Sequence, residues 1–464
     1  MTKVILGGGL TGLSAAYYLL KRIPNQKVTL VESSHRLGGW IKSNVLDNEV
    51  IFEQGPRTIR PQGKPGANTL SLIDDLGLSS KITPILASHP AAQNRMIYVN
   101  GKLFTLPSGL FSLFKKQPPF SKSFIRYFAQ DFFSPKKTVS DESIYDFACR
   151  RFGQEFADYL ISALICGICA GNSKEISVKF LMKQFFEYEQ RYGSVLKGVA
   201  NNLFKRKENV ELKGLALRAK KEKWSVYSFI NGLETLPQSL ENYIRRNNVD
   251  IQLNSRCNQL EMSDNGLILH FENGAHLKSD HLISSIPAES LAKLTERQHP
   301  HFSKLLTNIP SVSVCVVNLC YPGKLLTREG FGFLVPPKEQ LPILGIIYDS
   351  CCFSRSNDTV LTVMMGGYWF EQFFGKNPEE NVLLQTAKEQ VKAILGIRQE
   401  PAQFKVNILH KCIPQYVVGH EDNLNGINRY INENKLPISL CGASFYGVGV
   451  NDVILSARNA VECL

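Results

Sequence analysis

The chain Gly7-Gly8-Gly9-Leu10-Thr11-Gly12 follows the apolar run Lys3-Val4-Ile5-Leu6 and places glycine at each fixed position of a GxGxxG pattern. Each glycine has a mechanical task. Gly7 permits a tight turn, Gly9 lets a pyrophosphate approach the backbone, and Gly12 allows a helix to pack closely on the preceding strand. The next residues read as that helix, with Leu13, Ala16, Tyr17 and Leu20 on one face. Pro24-Asn25-Gln26 ends it, and Lys27-Val28-Thr29-Leu30-Val31 reads as the next parallel strand. Glu32 closes that strand, where its carboxylate would accept hydrogen bonds from the hydroxyls of a ribose. A helix N-terminus offers unpaired N–H groups to phosphate. A glycine pattern alone is weak, but strand, glycines, helix, strand and acid in this order specify a dinucleotide site.

The residues beyond Glu32 choose the dinucleotide. Ser33 and Arg36-Leu37-Gly38-Gly39-Trp40 extend the acid into an ExxxRxGG pattern, which resembles the second phosphate-contacting segment of the two-dinucleotide-binding flavoproteins. Gly55-Pro56-Arg57-Thr58 supplies another backbone turn of the kind that passes a flavin in that superfamily. The remaining chain holds no second complete strand–GxGxxG–helix unit, so a pyridine nucleotide has no obvious seat. FAD is the expected cofactor, with electrons leaving to dioxygen or another acceptor.

These motifs need elements to position them. After Thr69 the alternating pattern lapses, and residues 90–206 read as mostly helical and rich in aromatics. Phe120, Phe124, Phe128 and Phe132 recur every four residues, with Lys122, Arg126 and Gln130 between them. The stripe fits either the core face of an amphipathic helix or a lipid-facing surface, and the flanking pairs Lys115-Lys116 and Lys136-Lys137 favour the membrane. The dinucleotide pattern resumes near Trp224. A strand at 224–230, a helix carrying Leu233, Leu236, Leu240 and Ile244, and a strand at 249–253 with Cys257 just beyond are expected. A hairpin turning at Asn273-Gly274 and a buried strand at 281–287 follow. Residues 291–412, with apolar strands at 312–319 and 360–365, read as a mixed sheet covering the flavin. A last strand at 438–441 leads through Gly442-Ala443-Ser444 and Gly447-Val448-Gly449-Val450-Asn451-Asp452 into a helix, a second backbone approach to the flavin.

Bulk properties bound the partners. A chain of 464 residues holds two or three domains, and its 53 Lys+Arg against 41 Asp+Glu give a net charge of +12. That balance favours an anionic partner without choosing between nucleic acid, membrane surface and carboxylate substrate. The 11 cysteines are scattered and odd in number, which reads as free thiols. Cys166-Gly167-Ile168-Cys169 is formally a CxxC, but it sits in an apolar run with no second half of a zinc site. No secretory or arginine-rich transit pattern precedes the first strand, and no apolar run is long enough to span a bilayer. Membrane contact is therefore expected to be peripheral.

Taken together the motifs resemble one family, the oxygen-dependent, mitochondrial type of protoporphyrinogen oxidase, over nearly the whole chain. Besides the glycine motifs, the likeness rests on His89-Pro90-Ala91-Ala92-Gln93-Asn94-Arg95, Ala170-Gly171-Asn172-Ser173, Gly330-Phe331-Gly332 and Leu334-Val335-Pro336. Cys412-Ile413-Pro414-Gln415-Tyr416, Gly442-Ala443-Ser444 and Val450-Asn451-Asp452 complete it. The resemblance implies an α/β fold with three parts: a Rossmann-type FAD-binding domain, a substrate domain like that of p-hydroxybenzoate hydroxylase, and an inserted α-helical membrane-binding domain. The expected division is FAD domain at 1–88, 207–290 and 413–464, helical domain at 89–206, and substrate domain at 291–412. It further implies oxidation of protoporphyrinogen IX to protoporphyrin IX, the penultimate step of haem synthesis, with dioxygen reduced to hydrogen peroxide. The implied setting is the mitochondrial inner membrane, peripheral and on the intermembrane-space side, with no nucleic acid partner, a homodimer, and hand-over to the haem-forming ferrochelatase.

By the same resemblance, Arg95 is the propionate clamp, Phe331 and Leu334 are apolar jaws around one pyrrole ring, Met364 lines the opposite side, and Gly167 faces the ring near the flavin. Arg57 resembles the arginine beside the flavin. Trp40, Cys257, Ala443, Val448, Gly449 and Val450 resemble further cofactor contacts. The sequence also departs from the family. Phe333 replaces a histidine, Thr58 a glycine and Gln54 a leucine, and Cys166 stands where animal relatives usually have arginine, a loss that puts the charge balance around the substrate in doubt. Two alternatives stay open: an amine oxidase or phytoene desaturase-like flavoenzyme on the same fold, and a non-catalytic porphyrin carrier that retains FAD.

Overall fold

A computed structural model describes residues 2–46, 50–107, 109–204, 212–263, 266–353 and 357–464. Its first sheet is parallel, in the order Ile438–Leu440, His281–Ser284, Thr2–Leu6, Lys27–Val31, Asp250–Gln252. The chain starts in the middle, adds two strands on one side and then two on the other. This creates a switch point between Thr2–Leu6 and His281–Ser284, where doubly wound sheets open a crevice for ligand. Strand periodicity explains why both faces are covered. Ile5, Leu30 and Ile283 point into a core with the helices Leu10–Arg22, Thr235–Arg246 and Val450–Glu462. Their neighbours Val4, Leu6, Val31 and Leu282 point the other way, under the antiparallel strands Cys257–Ser263, Gly266–Phe271 and His276–Ser279.

The second sheet has seven strands, in the order Gln403–Pro414, Ser311–Tyr321, Thr359–Gly367, Ile343–Tyr348, Gly332–Leu334, Arg95–Val99, Lys102–Thr105. Only the pairing of Gly332–Leu334 with Arg95–Val99 is parallel, so the sheet is mixed. Its last two strands come from a stretch that the aromatic periodicity placed among helices. They are five and four residues long and lie at the sheet edge, too short to stand out in an aromatic-rich sequence. Met96, Phe333, Ile346 and Val363 form one row across the sheet and pack against the helix Glu380–Leu395. The adjacent row, Ile97, Leu334, Gly345, Met364 and Val316, faces the opposite side. The helix Ser162–Cys169 lies over that side, and a Cβ added to Gly167 would meet Leu334 Cδ2 at 2.9 Å.

The helical part is tied together by buried charge. Arg151 and Asp131 are fully buried, and Arg151 Nε donates to Asp131 Oδ1 at 2.6 Å. Asp131 also accepts from Ser194 Oγ at 2.6 Å and Leu196 N at 2.9 Å, so it caps the helix Val195–Phe204. The lipid-facing reading of the phenylalanine stripe is corrected here for Phe120, Phe124 and Phe128. The helix begins at Phe124, so Phe120 precedes it. Phe120 and Phe124 are buried with Tyr127 and Phe156, and Phe128 is partly buried against them. An every-fourth-residue repeat describes a core face equally well, and here the core took it. Phe132, the last of the stripe, stays exposed beside Phe133 at the helix end, and Phe111 and Phe114 on the turn Leu110–Phe114 and Leu203 are exposed as well. The turn and the helix Val195–Phe204 both pack against Phe124–Phe133, so these side chains share one region. Among the described residues no helix is long and apolar enough to cross a membrane. The expected domain boundary at 206 lies outside the described residues.

Candidate functional site: a dinucleotide groove beside an apolar slot

The glycine loop sits at the switch point, and its geometry matches the task of each residue. Gly7 has φ +107°, and its N–H donates to Val31 O at 2.8 Å. A Cβ on Gly12 would lie 1.8 Å from Gly7 O, so helix and strand are packed to a distance only glycine allows. At Gly9 an added Cβ would meet only Gly39 Cα, at 3.8 Å. The backbone at Gly9 is thus open beside the N-terminus of the helix Leu10–Arg22, as a pyrophosphate requires. Leu10 and Thr11 are buried in the first turn of that helix.

Glu32 is more than a terminal acceptor. One carboxylate oxygen accepts Gly8 N at 2.7 Å and the other accepts Ser34 N at 2.8 Å and, at 3.3 Å, Ser33 Oγ. It therefore locks the glycine loop, and a carboxylate with about four lone-pair directions still has capacity for ribose hydroxyls. Ser255 N donates to Glu32 O at 2.9 Å, which brings the strand that begins at Cys257 to the same end of the groove. Arg36 folds back on its own loop, donating to Leu37 O at 3.0 Å, Ile41 O at 3.2 Å and Gly39 O at 2.5 Å. Its part is to shape the Gly38-Gly39 turn, which bridges to Gly9. The exposed Trp40 follows, and its carbonyl would be 2.4 Å from a Cβ on Gly55. That contact leads the groove into Gly55-Pro56-Arg57-Thr58.

The C-terminal glycine segment closes the other wall. Tyr416 Oη bonds the carbonyl of Ala443 and accepts Gly447 N, which places Val448, Gly449 and Val450 at the start of the helix Val450–Glu462. Burial pushes the Tyr416 phenol far up, so it stays a neutral donor. Asn451 Nδ2 donates to Arg60 O at 2.8 Å, joining this wall to the segment after Arg57. Three buried polar atoms on these converging segments have no partner: Arg57 Nη2, Asn451 Oδ1 and Gln415 Oε1. Buried donors and acceptors are rarely left unpaired without a ligand or water to meet them. The open glycine backbone, the helix N-terminus, Glu32 and these atoms fit a flavin dinucleotide.

The Leu334–Met364 row and the helix carrying Gly167, the expected walls of the substrate slot, pack directly on one another, with Leu334 filling the space over Gly167. Both Leu334 and Met364 are partly buried, one strand apart across Gly345. Phe331 stands slightly apart, packed with Ile85, Ala91 and Val226. Arg95 opens its strand beside Gly332, on the same side of the sheet as Leu334, and its side chain is exposed. It has no hydrogen bond or ion pair among the described residues. Partial burial, and then the nearby charge of Arg60, pull its guanidinium below the usual range. Cys166 turns inward against Ala170, Val314, Val316 and Leu344, and burial pushes its thiol up, so it brings no charge to the slot. Cys169 is likewise buried, its thiol pushed up to about 12. Phe333 lies in the opposite row and faces away from Leu334 and Met364.

Sequence reading missed the acid–base groups behind Arg57. Glu53 is buried, and desolvation pushes its carboxyl up to about 7 against the opposing hydrogen bonds from Ser43 and Leu233 N. Asp349 holds Arg57 Nη1 at 2.7 Å. The acid in the apolar run Ile51-Phe52-Glu53 was the available signal for the first; a pair separated by 292 residues offered none for the second.

Comparison with known proteins agrees with this geometry. Residues 10–464 match the family described as flavin containing amine oxidoreductase. Protoporphyrinogen oxidase of Bos taurus is 40% identical over 466 residues, covering 99% of this chain and 97% of that protein. A solved structure from Exiguobacterium sp. 255-15 superposes with a TM-score of 0.81 at 24% identity, covering 100% of this chain and 98% of that one. Cyclohexylamine oxidase from Brevibacterium oxydans gives a TM-score of 0.70 at 15% identity, with 100% and 98% covered. Those two share the fold. With a groove shaped for FAD and a full-length match to its members, this chain is a flavoprotein oxidoreductase that belongs to the protoporphyrinogen oxidase family of the flavin-containing amine oxidoreductases.

Proposed function

We propose that this protein oxidises protoporphyrinogen IX to protoporphyrin IX, the penultimate step of haem biosynthesis, with dioxygen as acceptor and hydrogen peroxide as product. The observation that carries the reading is the exposed, unpaired Arg95 on the same side of the sheet as the apolar Leu334, close to Arg60, whose carbonyl joins the groove wall through Asn451. A flat, greasy macrocycle with two propionates suits apolar walls and a cationic clamp. FAD, when bound, supplies the hydride acceptor. Leu334, Phe331, Met364 and Gly167 supply the apolar seat of the macrocycle, and Arg95 fixes its rotation through one propionate. Gly7, Gly8, Gly9, Leu10, Thr11, Gly12, Glu32, Ser33, Arg36, Gly39, Trp40, Gly55, Pro56, Arg57, Thr58, Cys257, Ala443, Val448, Gly449 and Val450 hold the cofactor. No general acid or base from the protein is invoked.

The seven-stranded sheet serves as the substrate domain, like that of p-hydroxybenzoate hydroxylase, and the helical part between it and the nucleotide sheet serves as the membrane-binding domain. The exposed Phe111, Phe114, Phe132, Phe133 and Leu203 support peripheral membrane attachment, with Lys197 Nζ 4.6 Å from the Phe132 ring as a headgroup contact. The proposed setting is the intermembrane-space side of the mitochondrial inner membrane, as a homodimer that hands product to ferrochelatase. Purified protein incubated in air with protoporphyrinogen IX should generate porphyrin fluorescence together with peroxide, well above the rate of a free-FAD control. Porphyrin formation no faster than that control, with turnover of an alkylamine instead, would transfer the reading to the amine oxidases.

A further inference from the structure

The guanidinium of Arg57 is 7% exposed and is reached from the other sheet. Asp349, in the first turn of the short helix Asp349–Phe353 that follows the strand Ile343–Tyr348, accepts Arg57 Nη1 through Oδ1 at 2.7 Å. A carboxylate facing an arginine ordinarily takes both arms of the fork. Here it does not, because its second oxygen is engaged. Asp349 Oδ2 accepts the hydroxyl of Thr362 at 2.6 Å. Thr362 Oγ1 in turn accepts Asn318 Nδ2 at 2.8 Å, and the same Nδ2 donates to Glu53 O at 3.1 Å. The circuit therefore runs from the segment holding Glu53 and Arg57, across to the sheet at Asp349, Thr362 and Asn318, and back. Thr362 and Asn318 are fully buried, so the groups in it are held in one geometry. Its result is that Arg57 Nη2 stays unpaired in a buried position beside the cofactor groove.

We propose that Asp349, fixed by Thr362, is a positioning residue: it holds one arm of Arg57 and thereby presents the other arm to the flavin. The inference rests on the reading of the groove as the flavin site. A guanidinium N–H held against the ring favours the negative charge that the flavin gains on reduction, so its placement sets the reduction potential. The perturbation that isolates placement from charge is Thr362→Val. It leaves every charge in place, frees Asp349 Oδ2 and lets the fork close on both arms, which draws Nη2 away from the ring.

The test is the midpoint potential of the flavin in the full-length holoprotein, measured by anaerobic equilibration with a redox dye, which requires no porphyrinogen. Thr362→Val should shift the oxidised-to-reduced equilibrium toward the oxidised flavin by about ten-fold, the loss of one charge-assisted contact, which is about 30 mV more negative for a two-electron couple. Asp349→Glu, which keeps the charge but moves it, should shift the potential the same way. Thr362→Ser, which keeps the hydroxyl, should hold the wild-type potential. In an Arg57→Gln background neither Thr362→Val nor Asp349→Glu should have further effect. A potential unchanged in both Thr362→Val and Asp349→Glu, or shifts of full size persisting in the Arg57→Gln background, would overturn the proposal; a fall in melting temperature with no change in potential marks a structural role and overturns it too. Should Thr362→Val fail to fold, Asp349→Glu decides alone. Protein that takes up no flavin would refute the cofactor reading itself, an outcome visible in the absorbance spectrum before any potential is measured.

Discussion

Replacing Glu53 by glutamine should remove a pH dependence of stability that the wild type carries. Glu53 is 7% exposed, its carboxylate oxygens accept Leu233 N and Ser43 Oγ at 2.7 Å, and burial lifts its pKa from 4.5 to about 7. Each pKa unit corresponds to about 1.4 kcal/mol, so the shift amounts to roughly 3 kcal/mol. The sign follows from proton binding. Between pH 4.5 and about 7 the folded state holds a proton at this site that the unfolded state has lost, so stability falls as pH rises through that window. Below the window both states are protonated and above it both are ionised. The glutamine side chain is neutral throughout and keeps the shape, with its amide nitrogen toward Ser43 Oγ and its oxygen toward Leu233 N. At about 2.1 cal/mol/K per residue, a chain of 464 residues unfolds with an entropy of about 1 kcal/mol/K, so 3 kcal/mol is worth about 3 °C. The assay is the thermal midpoint of both proteins from about pH 5 to about pH 8.5, read as the difference between them. The mutant should match the wild type at the acid end and melt about 3 °C higher at the alkaline end. A gap that stays flat with pH, or a mutant less stable above neutrality, would refute the reasoning.

Three further outcomes follow. Glu32→Ala should weaken FAD retention by about 1.5–3 kcal/mol, since the ribose loses a charged acceptor and Gly8 N loses its partner; flavin content after dialysis is the measurement, and full retention contradicts the role. Arg95→Ala should keep FAD but lower kcat/KM for protoporphyrinogen by roughly ten- to a hundred-fold, with Arg95→Lys restoring only part and an esterified porphyrinogen showing a smaller effect; equal rates on the free acid would remove the clamp. The double variant Phe132→Ser, Phe133→Ser should cosediment with anionic liposomes at least about ten-fold more weakly than wild type, because each exposed ring contributes about 1.5–3 kcal/mol when buried in lipid. High salt should release the wild type only in part. Changing Phe124 or Phe128 should instead damage the fold, since both pack in the core cluster.

The nucleotide half was legible because its information is local. Strand, glycine turn, helix, strand and Glu32 fall within 31 residues of one another, and each has a steric reason visible in the sequence. The hairpin at Asn273-Gly274 and the helix carrying Leu236, Leu240 and Ile244 were readable on the same terms; both are present, with Leu233 in the turn before the helix Thr235–Arg246. What lay beyond reach was pairing at long range. Nothing in Arg95-Met96-Ile97-Tyr98-Val99 announces a partner near residue 332, and period-two alternation cannot say which row faces the flavin until the sheet is assembled. Phe333 illustrates the consequence: it departs from the family resemblance, and only the assembled sheet shows that it faces away from the row of Leu334. The phenylalanine stripe misled at Phe120, Phe124 and Phe128 for a related reason, since lipid and protein core select the same periodicity and only packing tells them apart. The circuit through Asp349, Thr362, Asn318 and Glu53 joins four separated segments, and only the fold brings them together.

In the proposed function this protein places a porphyrinogen against FAD and takes its electrons. An anaerobic titration with protoporphyrinogen IX tests that directly, because without dioxygen the reduced cofactor accumulates. The account predicts loss of the yellow flavin absorbance in proportion to substrate added, accompanied by porphyrin fluorescence, with both slowed in Arg95→Ala. Binding of the porphyrinogen with the flavin band left intact would contradict it and identify a carrier that keeps FAD without using it.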